Sequence, residues 1–325
     1  MTRPDPVSTW DPERLPNLTG RVYLITGANA GLGYFCSEQL ARAGAHVIMS
    51  GRNPNRLAAA HAAIDRRVES PSVETLLLDT SNLGSVRAAA ASAGARARID
   101  GVMLNAGIVH PPRERTLTAD AGRELVLATN VLGHFVLAAE LLVPLARTRG
   151  RIVWLGSMAT RLGSYDPVDL ELRGGYTPWR AYAQSKVAAQ VLGFEADRRL
   201  REEGIPVKSV VAHPGYSVSG RTPGVYGVNA PSRMDRFIDN LQAPITQSKE
   251  EGAWSQVRAL VDPNIHGGEY WGPASMVRGL PRRQTPSRTS LDPAVGARVW
   301  ADCERLTGIH WPFAKAVRAT RKGAA

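Results

Sequence analysis

Tyr182 and Lys186 stand four residues apart in the run AYAQSK. Residues i and i+4 share one helix face, so a phenol and an ammonium here would reach a common site. Such a pair suits proton transfer. A free tyrosine, with a pKa of about 10, releases its proton poorly at neutral pH. An ammonium one turn away favours the tyrosinate and draws the pKa down towards working pH. A Tyr–Lys pair also occurs in ordinary helices, so its meaning depends on the groups that join it. Ser157, in GSMA, lies just past an apolar run, where its hydroxyl can stabilise a developing oxyanion in a dry site. Taken singly, Ser157 reads equally as a turn or cap residue, and Asn130, in TNVLGHF, as a satisfied buried amide.

A second constellation lies near the N-terminus. TGANAGLG (26–33) follows the strand-like run RVYLIT and opens a helix. Glycines in such a turn let the backbone approach a pyrophosphate, which the positive end of the helix favours. The spacing of Gly27, Gly31 and Gly33 departs from G-x-G-x-x-G, yet it falls in the first βα unit, where a dinucleotide turn belongs. Asn29, Ala30 and Leu32 complete the predicted cradle. The second strand ends in MSGRN, without the carboxylate that usually holds an NAD ribose. Arg52 offers a planar charged fork to a 2′-phosphate instead. NADP(H) is therefore expected in preference to NAD(H).

These groups need elements to hold them. Short apolar runs at 21–26, 45–50, 73–79, 99–107, 150–157 and 206–213 alternate with helical patterns at 31–43, 54–68, 82–93, 119–147 and 179–203. Near-continuous apolar strands separated by helices predict an α/β fold: a Rossmann-like, doubly wound parallel sheet with helices on both faces. The rhythm runs unbroken to residue 213, which predicts a single domain over 18–273, after an N-terminal extension at 1–17. Residues 214–248 break it with Gly, Pro, Ser and scattered aromatics, the character of a functional lid. Residues 274–325 read as a C-terminal extension with one helix, about 293–306, and a short basic tail.

Bulk properties narrow the function. The 325 residues carry a formal net charge of +11. Only five of the forty basic residues are Lys, and the Arg residues are scattered among alanines, a composition bias rather than a nucleic-acid patch. Two cysteines make neither a disulfide framework nor a metal cluster and fit a reducing compartment. His110, His134 and His213 lack zinc-ligand spacing, so no metal is expected. The N-terminus has four prolines and no apolar core, unlike a signal peptide. No apolar run reaches the length of a membrane span. The expected location is cytoplasmic.

In order along the chain stand the 26–33 turn, LNAG (104–107), TNVLGHF (129–135), GSMA (156–159), AYAQSK and HPG (213–215). The sequence thereby resembles the short-chain dehydrogenase/reductase family over about 18–273. YTPWRAYAQSKVA and TNVLGHFVL look most like its retinol-dehydrogenase-like and protochlorophyllide-reductase-like branch. The resemblance implies hydride transfer between a nicotinamide cofactor and a carbonyl or alcohol. Tyr182 would be the acid or base and Lys186 its partner, also bonded to the nicotinamide ribose. Ser157 would polarise the substrate oxygen, and Asn130 would anchor a water leading from Lys186 to solvent. Asn105, Ala106 and Gly107 would line the adenine-ribose side. Asp79, followed by Thr80, would meet the adenine, and Pro214, Gly215 and Ser219 would lie near the nicotinamide. There are departures: Gly156 stands where relatives commonly carry a serine, and Ser219 where a threonine is usual.

Tyr216, Val218, Val225, Tyr226, Met234 and Phe237 in the lid suit a small apolar or polycyclic alcohol or ketone. A non-catalytic NADP(H)-binding sensor or scaffold of the same fold would have no reason to keep all four of Asn130, Ser157, Tyr182 and Lys186. Light-dependent reduction of a tetrapyrrole shares the Tyr and Lys but finds no dedicated pocket in the sequence. Family members are often dimers or tetramers; a homo-oligomer fits, though no interface is legible.

Overall fold

The computed structural model describes residues 10–163 and 165–322. Residues 1–9 of the predicted N-terminal extension and 323–325 of the basic tail lie outside the described residues.

The first strand, β1 (Val22–Thr26), leads into α1 (Gly31–Arg42); β2 (His46–Gly51) into α2 (Pro54–Arg67); and β3 (Ser72–Leu77) into α3 (Leu83–Gly94). After β4 (Gly101–Leu104), a helical run α4 (Leu125–Glu140) and a helix α5 (Leu142–Thr148) precede β5 (Arg151–Leu155). A short helix α6 (Ala159–Leu162) and the long α7 (Pro178–Glu202) precede β6 (Lys208–Ala212). Beyond it come β7 (Ser217–Val218), α8 (Arg233–Leu241), β8 (Gln247–Ser248), α9 (Lys249–Val261), β9 (Tyr270–Pro273), β10 (Pro281–Arg283), α10 (Arg288–Leu291), α11 (Pro293–Thr307) and α12 (Phe313–Lys322).

The sheet order is β10-β9-β6-β5-β4-β1-β2-β3, all parallel except the antiparallel β9–β10 pair. Strand order reverses between β1 and β4, and ligands of open α/β sheets bind outside the carboxyl ends at such a point.

The continuous apolar strands have a simple cause. Successive side chains point to opposite faces. Leu24, Ile48, Val102, Ile152, Trp154 and Val211 enter one core with α3, α4, α7 and α11. Their neighbours Ile25, Val47, Met49, Met103, Val153 and Val210 enter another with α1, α2 and α9. Both faces of the central strands are covered, so their side chains are mostly apolar, whereas the edge strand β3 is partly exposed.

Three segments differ from expectation. The helix expected over 119–147 begins only at Leu125, because the Glu124 carboxylate caps Val126 N and Leu127 N at 2.9 and 2.7 Å. It bends by 57° at residue 141, just ahead of Pro144, which has no N–H for the Glu140 carbonyl. Within 214–248, a helix forms at Arg233–Leu241, started by a reciprocal cap between Ser232 and Asp235. Beyond residue 273, the helix expected at about 293–306 forms as Pro293–Thr307, and a strand and two further helices join it. The basic run at 313–322 hides Phe313, Ala316 and Val317 at helical spacing, and these pack on the core. Trp300 of α11 is fully buried, with its ring 5.0 Å from Phe135 and 4.8 Å from Trp311.

Among the described residues no single helix is long and apolar enough to cross a membrane; the α4–α5 pair passes only as a bent unit and is mostly core.

Candidate active site

Thr177 caps α7 by accepting from Arg180 N at 3.1 Å, and Pro178 takes the first turn, where its missing N–H costs nothing. This start sets the phase that turns Tyr182 and Lys186 toward the carboxyl end of β5. Tyr182 Oη lies 3.1 Å from Ser157 Oγ, which also accepts from Ala159 N at 3.1 Å. Lys186 is buried, and its Nζ donates to the Leu155 carbonyl at 3.1 Å. The three groups thus meet across α7 and the end of β5.

Asn130 sits in a π-turn, Ala128–Leu132, inside α4. Its Nδ2 donates to Ser185 Oγ at 2.9 Å and to the Ile108 carbonyl at 3.2 Å, while its Oδ1 accepts from Ile108 N at 2.8 Å. The side chain therefore ties α4 to α7 and to the loop after β4. That loop also brings Gly107 near the pair: a Cβ on Gly107 would lie 3.1 Å from Asn130 Oδ1 and 3.7 Å from Lys186 Nζ.

Burial works against the shift expected of the Tyr182 phenol. Burial holds Tyr182 above the ordinary tyrosine pKa, and the Ser157 hydrogen bond only partly opposes it. The Lys186 amine donates to the Leu155 carbonyl, and its charge would favour a tyrosinate once one forms. Burial likewise lowers Lys186 to about 8. The tyrosine is thus a neutral proton donor beside a cation that loses its charge easily.

Beneath the pair lies a network absent from the sequence reading. His134 Nδ1 is 3.2 Å from the Asn130 carbonyl, which can only accept, so Nδ1 carries the proton. Its bare Nε2 faces the Thr26 hydroxyl at 3.0 Å. Thr26 Oγ1 in turn accepts from Asn105 N and Ala106 N at 2.8 and 2.9 Å. Asn105 Nδ2 donates to the Thr26 carbonyl at 2.8 Å, so its amide holds β1 to the loop after β4. The signal for this role was Thr26 closing β1 immediately before Gly27.

The glycine turn fits a dinucleotide. Gly27 and Gly31 have φ of +66° and +57°, in the left-handed region. A Cβ on Gly27 would stand 2.9 Å from Ala106 Cα, and one on Gly33 would collide with the Gly27 carbonyl. The first residues of α1 have no side-chain cap, because Ala30 occupies that position. Their N–H groups remain for an anion. Leu32 is half-buried, and Asn29 Oδ1 lies beside Gly51 at the end of β2, where Arg52 is exposed. Asp79 is held by Ser81, whose N and Oγ are 2.9 and 2.7 Å from Asp79 Oδ1, and Thr80 is buried with its carbonyl against Gly133.

On the opposite rim, the Pro214 carbonyl accepts from Gln247 Nε2 at 2.7 Å, and Gly215 turns with φ of +65°. Ser219 Oγ accepts from Lys249 Nζ at 2.6 Å. Of the six apolar lid residues, Val225 is buried in the core and so cannot line a ligand site. Tyr216, Tyr226, Met234 and Phe237 are exposed, and Val218 is half-buried. Trp179, not singled out by the sequence reading, is half exposed with its ring 6.4 Å from that of Tyr182. It lies in YTPWR, ahead of the pair.

Comparison with known proteins agrees with this geometry. The profile of the short chain dehydrogenase family matches residues 21–222. Polyprenol dehydrogenase of Mus musculus is 34% identical over 306 residues, covering 91% of this chain and 87% of its own. Retinol dehydrogenase 13 of Homo sapiens is 30% identical with the same coverage. The crystal structure of an uncharacterized protein from Mycobacterium Paratuberculosis is 33% identical, with a TM-score of 0.76 over 94% of this chain and all of that one. With this fold, this residue set and these relatives, the chain belongs to the short-chain dehydrogenase/reductase family of oxidoreductases, in its retinol-dehydrogenase-like branch.

Proposed function

We propose that this protein is an NADP(H)-dependent oxidoreductase that interconverts the alcohol and carbonyl forms of an apolar small molecule. The 3.1 Å contact between Tyr182 Oη and Ser157 Oγ, with buried Lys186 one turn along, carries this reading. The uncapped α1 terminus and the glycines at 27, 31 and 33 would hold the cofactor's phosphates. Arg52 would take its 2′-phosphate, and Lys186 would stand by its nicotinamide end. The bound cofactor supplies the hydride to the carbonyl carbon in reduction and takes it up in oxidation.

The residues supply the rest. In reduction, Ser157 hydrogen-bonds the substrate oxygen, and the neutral Tyr182 phenol gives that oxygen its proton. The tyrosinate left behind is favoured by the Lys186 ammonium and regains its proton from solvent. Asn130 and Ser185 hold the two walls of the site in register. Trp179 and the exposed side chains of Tyr216, Met234 and Phe237 favour an apolar substrate body. The names of the relatives make long isoprenoid alcohols and their aldehydes the first compounds to try.

The test is a panel of isoprenoid and polycyclic alcohols and carbonyl compounds, assayed with NADPH and NADH side by side. Tyr182→Phe is expected to bind NADPH while turnover falls by about 10²–10⁴-fold. Undiminished turnover in that variant would sink the mechanism, and saturation only by small polar substrates would sink the substrate class.

A further inference from the structure

We propose that Lys249 is a binding residue for the cofactor's diphosphate, reaching it from the C-terminal root of the 214–248 segment. The inference rests on the reading that a nicotinamide dinucleotide occupies the glycine turn.

Lys249 is 218 positions beyond Gly31 in the chain. Folding nevertheless lays its side chain over that turn: a Cβ on Gly31 would be 3.6 Å from Lys249 Cδ and 3.9 Å from Nζ. The ammonium also donates to Ser219 Oγ at 2.6 Å. It therefore spans the gap between the start of α1 and the loop that follows β6. Its backbone is pinned as well, with Lys249 N donating to Thr222 Oγ1 at 2.9 Å.

For stability alone the charge is badly placed. Lys249 opens α9, so it stands in the positive first turn of its own helix. It also faces the uncapped first turn of α1. A cation at a helix N-terminus opposes the macrodipole, and here it does so at two helices. Burial disfavours its charged form, and Asp239, too far for an ion pair, opposes this only in part. An anion between the α1 N–H groups and the ammonium attracts both and offsets these costs. A diphosphate carries the charge and the acceptor oxygens to meet both at once. Ser219 then orients the amine.

Lys249→Met keeps the stem and removes the charge. Dinucleotide affinity is measured by fluorescence titration with NADPH and with NADH, alongside adenosine 2′-monophosphate, which carries no 5′-phosphate. Thermal melting of the cofactor-free protein is followed in parallel. The variant is expected to bind both dinucleotides about tenfold more weakly, the size of a lost charge-assisted hydrogen bond. Adenosine 2′-monophosphate affinity should be unchanged, the melting temperature should not fall, and Lys249→Arg should recover most of the dinucleotide affinity. Equal dinucleotide affinity in wild type and Lys249→Met overturns the proposal. So does a lowered melting temperature with all three ligands weakened alike, which is the mark of a structural lysine. If the wild-type protein binds neither dinucleotide, the cofactor reading itself fails and this one falls with it.

Discussion

At the scale of single residues, desolvation governs the chemistry. Tyr182 and Lys186 are both pushed toward their neutral forms by burial. The consequence is directional. Lys186 is charged below about 8 and neutral above it, so the support it gives a tyrosinate fades as pH rises through that value. The rate of carbonyl reduction, kcat/KM, is therefore expected to fall as pH rises through about 8. A pH–rate profile checks this, and a rate that stays level well above that pH contradicts it.

The elements explain why those residues meet. The α7 cap at Thr177 sets the rotation of the helix, and Asn130 in the π-turn fixes its distance from the loop after β4. At the α1 turn, Gly33 touches the Gly27 carbonyl so closely that no side chain fits. Gly33→Ala is expected to destabilise the protein by about 1–3 kcal/mol through overpacking. It should also weaken cofactor binding, because the turn itself must shift. Urea denaturation and cofactor titration of one preparation read both effects, and an unchanged midpoint refutes the first. By contrast, α8 buries none of its residues; beyond its own cap it is tied to the preceding loop, where Asp239 Oδ2 accepts from Gly220 N at 2.6 Å.

The whole molecule adds a pH response that no single element shows. His134 and His213 are held neutral by burial, lowered to about 3 and about 4. In the unfolded chain both take a proton near the ordinary histidine value, about 6.5. The unfolded state therefore binds more protons as pH drops below that value. The stability these groups contribute is present above it and is lost progressively toward pH 4 for His213 and pH 3 for His134. At pH 5 the loss is about 2 kcal/mol for each. The net charge of +11 at pH 7 grows in the same range and acts in the same direction. Denaturation curves at pH 7.5 and pH 5 test this, and equal stabilities contradict it.

What the sequence determined by itself is what neighbouring residues encode. Strand and helix periodicity, the Gly27–Gly33 turn and the i,i+4 spacing of Tyr182 and Lys186 are local properties, legible without a fold. Even the miss at 233–241 was local, since Ser232 and Asp235 form a cap at readable spacing. Other features required packing. The direction of the Tyr182 shift depends on how much water the fold removes. The part of His134 depends on Thr26, 108 residues away. The C-terminal strand and helices join the sheet and core through contacts with distant residues. Lys249 reaches Gly31 only because α9 lies against α1 under the same sheet. Desolvation and close approach between remote segments are properties of the packed interior, and only the tertiary structure could decide them.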